Sequence, residues 1–413
     1  MFEVQPDVLI VGAGPVGLFT ALTLAKRGIP VRIADSAFWT CAHSYALALH
    51  PQSLGLMKWA GIHDEILSKS QLVDKISFYE GSARKAEVKL EQPMAVVRQD
   101  GLEAVLEKAL EKLGVPVLWR HAVSEITQQG DVASARMDRL EKESRGYVVA
   151  HDEWVVAKST RLDVPWIIGA DGYDSAVRNA LEIGYPETGP AQFYAVFEFQ
   201  SDEKPANDLR LALGDDTTDA LWPLPNGHWR WSFQLPDYKV SNPLAGPGYF
   251  LTSRLRDTDP KPFEIPVLEE STLRSLLALR APWFKGNISN VSWRTVVRFE
   301  QRQAANYGNG RVWLAGDSAH LTGPVGVQSM NLGLLEGYEL ANIIANGGHP
   351  AELANYNKHW TETWRQLHGL NGGLQMDSNV DLWIAARAAR IIPCLPGHGR
   401  ELAAMANHMA VSA

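Results

Sequence analysis

The chain has 413 residues, with 39 lysines and arginines against 47 aspartates and glutamates, for a formal net charge of −8. That acidic balance excludes nucleic acid or an anionic membrane surface as the main partner, since neither attracts a protein of its own sign. With 46% hydrophobic and 21% charged residues, the composition is that of a globular chain of two or three lobes, not a disordered or fibrous one. Two cysteines, Cys41 and Cys394, give neither a disulfide framework nor a Cys/His metal spacing, so a reducing, cytoplasmic setting is expected. The 14 tryptophans outnumber the 12 phenylalanines and the 11 tyrosines.

The opening MFEVQPDVLIVG has no basic segment and no small-residue cleavage site, so no signal peptide is expected. Val8 to Ala25 is an uncharged run of 18 residues, close to the length of a membrane span. Gly12, Gly14, Pro15 and Gly17 break it in the middle, and it reads instead as strand, turn and helix, with no integral span. Asp7–Val11 is a short β-branched run suited to a strand buried on both faces, and Leu18–Arg27 is a helix closed by Gly28. Val31–Ala34 is a second strand ending at Asp35, which completes a βαβ unit. A helix at Leu102–Leu113 and a strand at Val115–Leu118 follow, and the Arg139–Arg145 charge cluster reads as a solvated hairpin or helix end. Trp166–Ala170 and Val312–Ala315 are further short apolar strands, each ending at a Gly/Asp turn.

Between those two strands the texture changes. Phe193–Gln200 and His228–Leu235 alternate with period two, and Trp229, Trp231, Phe233 and Leu235 share one face of an antiparallel sheet. Ser241–Pro266 reads as loop, and from Leu332 onward the pattern is helical, so the tail with Trp360, Trp364 and Trp383 is expected to be helical packing. No internal repeat is present.

Gly12-Ala13-Gly14-Pro15-Val16-Gly17 matches GxGxxG between a strand and a helix, and Asp35 follows Gly12 by 23 residues at the end of the next strand. In that setting the glycines give a tight turn and close backbone approach, the helix N-terminus meets a pyrophosphate, and the aspartate accepts from a ribose. Two more strand–loop–helix junctions follow. IIGADGYDSAVRNAL holds Asp171-Gly172, Ser175 and Arg178, and GRVWLAGDSAHLTGPVGVQSMNL holds Gly316-Asp317, His320 and Pro324. Three such junctions on one parallel sheet converge on a single ligand at its carboxyl edge, an α/β arrangement.

With all three motifs in this order, residues 5–345 resemble the class A flavoprotein monooxygenases, the p-hydroxybenzoate hydroxylase-like aromatic hydroxylases. The resemblance implies a Rossmann-like FAD-binding domain (1–74, 97–182 and 288–345), an antiparallel-sheet substrate domain (75–96 and 183–287) and a helical C-terminal segment (346–413). It implies noncovalent FAD, NADH or NADPH as reductant, and O2 as co-substrate. A flavin C4a-hydroperoxide would then hydroxylate an aromatic or other flat apolar small molecule, in a monomer or homodimer.

By position, Asp35 corresponds to the ribose acid, Gln99 with Arg98 to the FAD-contacting glutamine and its neighbour, and Asp317 to the ribityl aspartate. Asp171, Gly172 and Arg178 belong to the motif linked to FAD and NAD(P)H. Pro324 and Gly326 lie in the substrate-facing loop, and Met330 and Asn331 meet the pyrimidine end of the isoalloxazine. Tyr194 is the counterpart offered for a phenol-deprotonating tyrosine. Arg210, Arg230, Trp222, Trp229 and Trp231 are offered as substrate contacts, and His320 as a residue ordering its loop. His228 is expected in solvent and Cys41 inert. The sequence departs from the family pattern in lacking Arg or Lys between Arg32 and Lys58, where His43 and Ser44 would substitute. Gly323, Val327, Ser329 and Glu336 are further departures. A halogenase is the first alternative, but Trp229–Pro236 breaks the tryptophan motif of that branch. A flavin reductase or oxidase is the second.

Overall fold

A computed structural model describes residues 5–38, 47–145, 151–204, 207–236, 250–252, 266–370, 372, 374, 377 and 380–411. Cys41, His43, Ser44 and most of the 241–266 loop lie outside the described residues.

The first sheet has six strands in the order Gly308–Asn309, Val312–Leu314, Trp166–Gly169, Val8–Val11, Val31–Asp35 and Val117–Trp119, all parallel except the first. Val8–Val11 is buried throughout at its centre, as a β-branched run flanked by strands on both sides must be. The Pro15–Lys26 helix starts with proline at its first position, where no N–H is needed, and the chain leaves it through Gly28 at φ +76°. The uncharged run from Val8 is therefore strand, turn and helix. Among the described residues, no helix is long and apolar enough to cross a membrane.

The second sheet is larger, with eleven strands, nine of them on its main path. Glu187–Ser201 lies inside it, antiparallel to His228–Gln234 on one side and to Ile288–Gln303 on the other. Ile288–Gln303, which the expected boundary at 288 assigns to the FAD lobe, is hydrogen-bonded into this sheet along its length. The third sheet is the antiparallel set His121–Gln129, Val132–Arg145 and His151–Val164. The Arg139–Arg145 cluster is thus the end of a strand in a hairpin, not a helix end.

Period two does put Trp229, Trp231 and Phe233 on one face, with Ala195, Phe197 and Phe199 beside them. That face turns away from the first sheet. The Glu270–Arg280 helix covers it with Leu273 and Leu277, closing a separate core in which Trp231 stacks on Phe233 at 4.9 Å. Trp229 and Trp231 are therefore core residues, a correction to their reading as substrate contacts. Arg210 is corrected with them: it sits 5.6 Å from the rings of Trp229 and of Trp283 and donates to Glu203 at 2.5 Å. The opposite face carries Tyr194, Val196, Trp222, Arg230, Ser232 and Gln234, and this is the face that lines cavities.

The tail is helical at Pro350–Leu367 and Gly399–Asn407, but Ala410–Val411 adds a short strand to Ala83–Val96. Trp360 and Trp364 are buried on the first of these helices.

Truncating a large buried aromatic costs about 3–5 kcal/mol. Trp231→Ala is expected to lose stability of that order in urea unfolding while FAD affinity, read by flavin fluorescence, stays within about twofold. A tenfold loss of affinity at unchanged stability would return Trp231 to the site.

Candidate active site

The carboxyl edge of the first sheet carries all three motif junctions. Gly12 is left-handed at φ +103°, and a Cβ there would lie 2.2 Å from the Ala170 carbonyl oxygen; a Cβ on Gly17 would lie 2.0 Å from that of Gly12. Around Gly14 nothing comes within 4 Å of the Cβ position. Two glycines thus make the turn tight, and the middle one leaves open space over the helix start. Asp35 Oδ2 accepts the Ala13 N–H at 2.6 Å and Oδ1 that of Ala37 at 2.7 Å, which ties the end of the second strand to this turn.

The Gln328–Ala345 helix lies against the Pro15–Lys26 helix along a glycine seam. Cβ atoms on Gly333 and Gly337 would meet Val16 Cγ2 at 2.7 Å and Thr20 Oγ1 at 2.1 Å. Neither helix has a side-chain cap at its N-terminus. Two helix starts without side-chain caps therefore lie close together, a geometry suited to anionic or electron-rich ligand groups. Open space at Gly14 and paired helix termini fit FAD.

Asp317 remains accessible to solvent and accepts the Ser329 hydroxyl at 2.5 Å. Protein atoms crowding this carboxyl push its pKa up, and the Ser329 bond pulls it back. Arg178 is buried: it donates to the Ser318 and Tyr173 carbonyls at 2.9 and 2.7 Å and lies 3.9 Å over the Tyr185 ring. Asp171 accepts from Ser175 Oγ at 2.6 Å and Val177 N–H at 3.1 Å, and Gly172 turns at φ +78°. Asp171 thus braces its own junction while Arg178 ties that junction to the Gly316–Ser318 turn, so both side chains are engaged by protein. Arg98 precedes the Gln99–Glu111 helix and donates to Glu198 on the second sheet, while Gln99 Nε2 donates to Glu103 at 2.8 Å.

Met330 is buried in the first turn of its helix. The Asn331 side chain is engaged by protein: Nδ2 donates to the Ala48 and Val327 carbonyls at 2.9 and 2.8 Å, and Oδ1 accepts the His50 N–H at 2.7 Å. Asn331 thus pins the loop and does not offer its side chain to the isoalloxazine. Val327, at the cap, is left-handed at φ +51°, a strained conformation for a β-branched residue.

Sequence reasoning missed His50 and singled out Glu336 only as a departure from the family pattern. His50 accepts the Gly397 N–H at Nδ1 (3.3 Å), so its Nε2 carries the hydrogen and donates to the Gly326 carbonyl at 2.8 Å. Burial lowers its pKa from 6.5 to about 4. Glu336, fully buried, accepts from Gly316 N–H at 2.8 Å, His320 Nε2 at 2.9 Å and Trp364 Nε1 at 2.8 Å. Each contact joins residues remote in sequence or depends on a three-donor geometry that no local motif announces.

Two cavities open on the second sheet beneath the 323–327 loop. The smaller one is lined by Pro324, Val327, Leu47, Trp222, Arg230 and Phe299. The larger, of about 650 Å³, is lined by Tyr194, Gln192, Gln234, Gln301 and Phe299 and roofed by the C-terminal segment, including Cys394. Burial pushes the Tyr194 hydroxyl far above its ordinary range, so it is the protonated phenol that lines the cavity. Gly326 is wedged against the tail, where a Cβ would lie 2.0 Å from the Pro393 oxygen.

Fold and site together define a flavin-binding protein. The chain matches the FAD binding domain family over residues 5–231 and 271–360 and belongs to it. It is 28% identical over 363 residues to 6-methylpretetramide 4-monooxygenase of Streptomyces rimosus, covering 84% of this chain and 57% of that protein. It is also 28% identical over 356 residues to the uncharacterized aromatic compound monooxygenase YhjG of Bacillus subtilis, covering 84% and 63%. The chain thus spans about three-fifths of each of these relatives. Its fold is shared with p-nitrophenol 4-monooxygenase PnpA of Pseudomonas putida DLL-E4 at a TM-score of 0.65 and 20% identity, over 98% of this chain and 96% of that one.

An unfolded histidine gains its proton near pH 6.5, and folded His50 only near pH 4. The folded state is therefore favoured fully above 6.5 and loses stability as the pH falls from 6.5 to 4, by about 3 kcal/mol in all. Urea unfolding at about pH 7.5 and about pH 4.5 should show wild type losing roughly 2–3 kcal/mol more than His50→Gln. Parallel losses would contradict a buried, neutral His50.

Proposed function

We propose that this protein is an FAD-dependent, NAD(P)H-consuming monooxygenase that hydroxylates an aromatic small molecule. The carrying observation is the position of Pro324: it follows the Asp317 turn, leads into the uncapped Gln328–Ala345 helix, and forms the ceiling of a cavity walled by Trp222 and Phe299. Bound FAD supplies the redox chemistry, taking hydride from NAD(P)H and passing electrons to O2.

The chain's own residues do the rest. In this reading Gly12, Gly14, Pro15, Val16 and Gly17 seat the pyrophosphate, Asp35 holds a ribose, and Asp317 accepts from the ribityl chain. The N–H groups at the start of the Gln328–Ala345 helix stabilise negative charge on the flavin edge. Trp222, Phe299 and Leu47 exclude water beneath the Pro324 loop, and the larger cavity, which shares Phe299, has the room for a flat ring. Arg230 is the polar element of that wall. Its Nε and Nη2 both donate to Glu198, which Arg98 also contacts, while Nη1 has no partner among the described residues. A guanidinium so placed favours a substrate whose ring bears an ionisable hydroxyl, because negative charge on that oxygen makes the ring electron-rich. The relatives named for 6-methylpretetramide and for aromatic compounds support oxygen insertion over halogenation.

The test is a panel of hydroxylated aromatics scored for stimulated NAD(P)H oxidation under ¹⁸O2, with product mass. One labelled oxygen per turnover supports the reading; oxidation with no labelled product overturns it. With a substrate in hand, Arg230→Lys should raise KM by about tenfold, the worth of one charged hydrogen bond of about 1.5 kcal/mol, and leave FAD affinity unchanged.

A further inference from the structure

Asp317, the accessible carboxylate at the flavin end of the site, does not stand alone. Ser329 Oγ donates to its Oδ1 at 2.5 Å and lies 3.3 Å from His320 Nδ1, and His320 Nε2 lies 2.9 Å from Glu336 Oε2. These links form one line from an accessible carboxylate to a fully buried one.

The hydrogens along this line can be counted. Glu336 already accepts from the Gly316 N–H and the Trp364 indole, so it acts as an acceptor toward His320 and Nε2 carries a hydrogen. The Ser329 hydroxyl has one hydrogen and two neighbours. When that hydrogen points to Asp317, the 3.3 Å contact is a hydrogen bond only if His320 Nδ1 donates, which makes the imidazole doubly protonated. When it points to Nδ1, Asp317 must carry the hydrogen, and the imidazole is neutral. The two states hold the same number of protons and differ only in where one of them sits.

We infer that Asp317 and His320 share a single proton through the Ser329 hydroxyl, and that Ser329 is the positioning residue that lets it move. In the transfer the His320 Nδ1–H bond breaks as a bond forms to Ser329 Oγ, and the hydroxyl's own hydrogen passes to Asp317 Oδ1. The reverse transfer restores the carboxylate. The surroundings leave His320 and Asp317 as the exchanging pair. Trp364 stacks on the imidazole at 3.8 Å and does not titrate. His368, from the end of the Pro350–Leu367 helix, is held neutral by burial, with its pKa lowered to about 3. The Tyr307 hydroxyl is kept protonated by burial, and the Tyr185 hydroxyl, similarly raised, donates to the Asp317 backbone carbonyl at 3.1 Å.

The consequence concerns FAD, and it rests on the placement of the cofactor against Asp317. A cofactor hydroxyl donates a stronger hydrogen bond to the bare Asp317 carboxylate than to the protonated acid, so binding shifts the shared proton toward His320. Ser329 stands where a glycine is common in the resembled family, so the connection belongs to this chain's sequence.

The experiment is ¹⁵N-resolved NMR of the histidine side chains at about pH 8, with and without FAD, the His320 signals being assigned by their loss in His320→Asn. In the FAD-loaded wild type both nitrogens of His320 should carry hydrogen. Ser329→Gly and Ser329→Ala should lose the Nδ1 hydrogen at the same pH, and Ser329→Thr, which keeps the hydroxyl, should restore it. A wild-type His320 with a bare Nδ1 in the loaded protein would overturn the proposal. So would an Nδ1 hydrogen unchanged in Ser329→Gly. FAD titration is read separately: failure to bind overturns the cofactor placement, while the FAD-free spectra of wild type and Ser329→Gly still decide whether Ser329 controls the Nδ1 hydrogen.

Discussion

The contact between two helices along Gly333 and Gly337 is the constraint on which the site depends. With Val16 at 2.7 Å and Thr20 at 2.1 Å from where side chains would begin, only glycine lets the Gln328–Ala345 helix approach the Pro15–Lys26 helix this closely. Close approach brings two uncapped N-termini to one edge of the parallel sheet, and their dipoles add where a phosphate and a flavin ring would lie. Glu336 lies within this same stretch of helix. By accepting from Gly316, His320 and Trp364 it fixes the Gly-Asp turn below and the Pro350–Leu367 helix behind. A buried carboxylate with three donors is tolerated where an unpartnered one would not be.

The second sheet divides its labour by face. Its most aromatic side, with Trp229, Trp231 and Phe233, is closed under a helix and supplies stability. Its mixed side, with Tyr194, Trp222, Arg230 and Gln234, borders the cavities. A binding wall needs hydrogen-bonding groups among its apolar ones, whereas a core is most stable without them.

This division explains how much could be read in advance. The βαβ unit, the three junctions and the alternating strands follow from local periodicity and glycine placement, and the structure contains them. Periodicity states which residues share a face but not which way the face turns, because that depends on the partner helix. Trp229 and Trp231, expected at the cavity, accordingly belong to the core, while Trp222 does line a cavity. His50 and the Pro393–Gly397 segment escaped notice because their contacts span up to 347 residues, as in the Gly397–His50 bond, and no spacing rule reaches so far; Glu336 stood out only as a departure because its three donors come from separate elements. One signal was available: Gly333 and Gly337 lie four apart on a helix, the spacing that opens one face to close packing.

The most direct measurement of the central claim is a crystal structure of the protein soaked or grown with FAD. The account predicts the pyrophosphate over residues 14–17 and the pyrimidine side of the isoalloxazine at the N–H groups of residues 328–330, with the other ring edge toward Pro324. A flavin found away from the paired helix starts, for instance wholly within the cavity beside Tyr194, would contradict it.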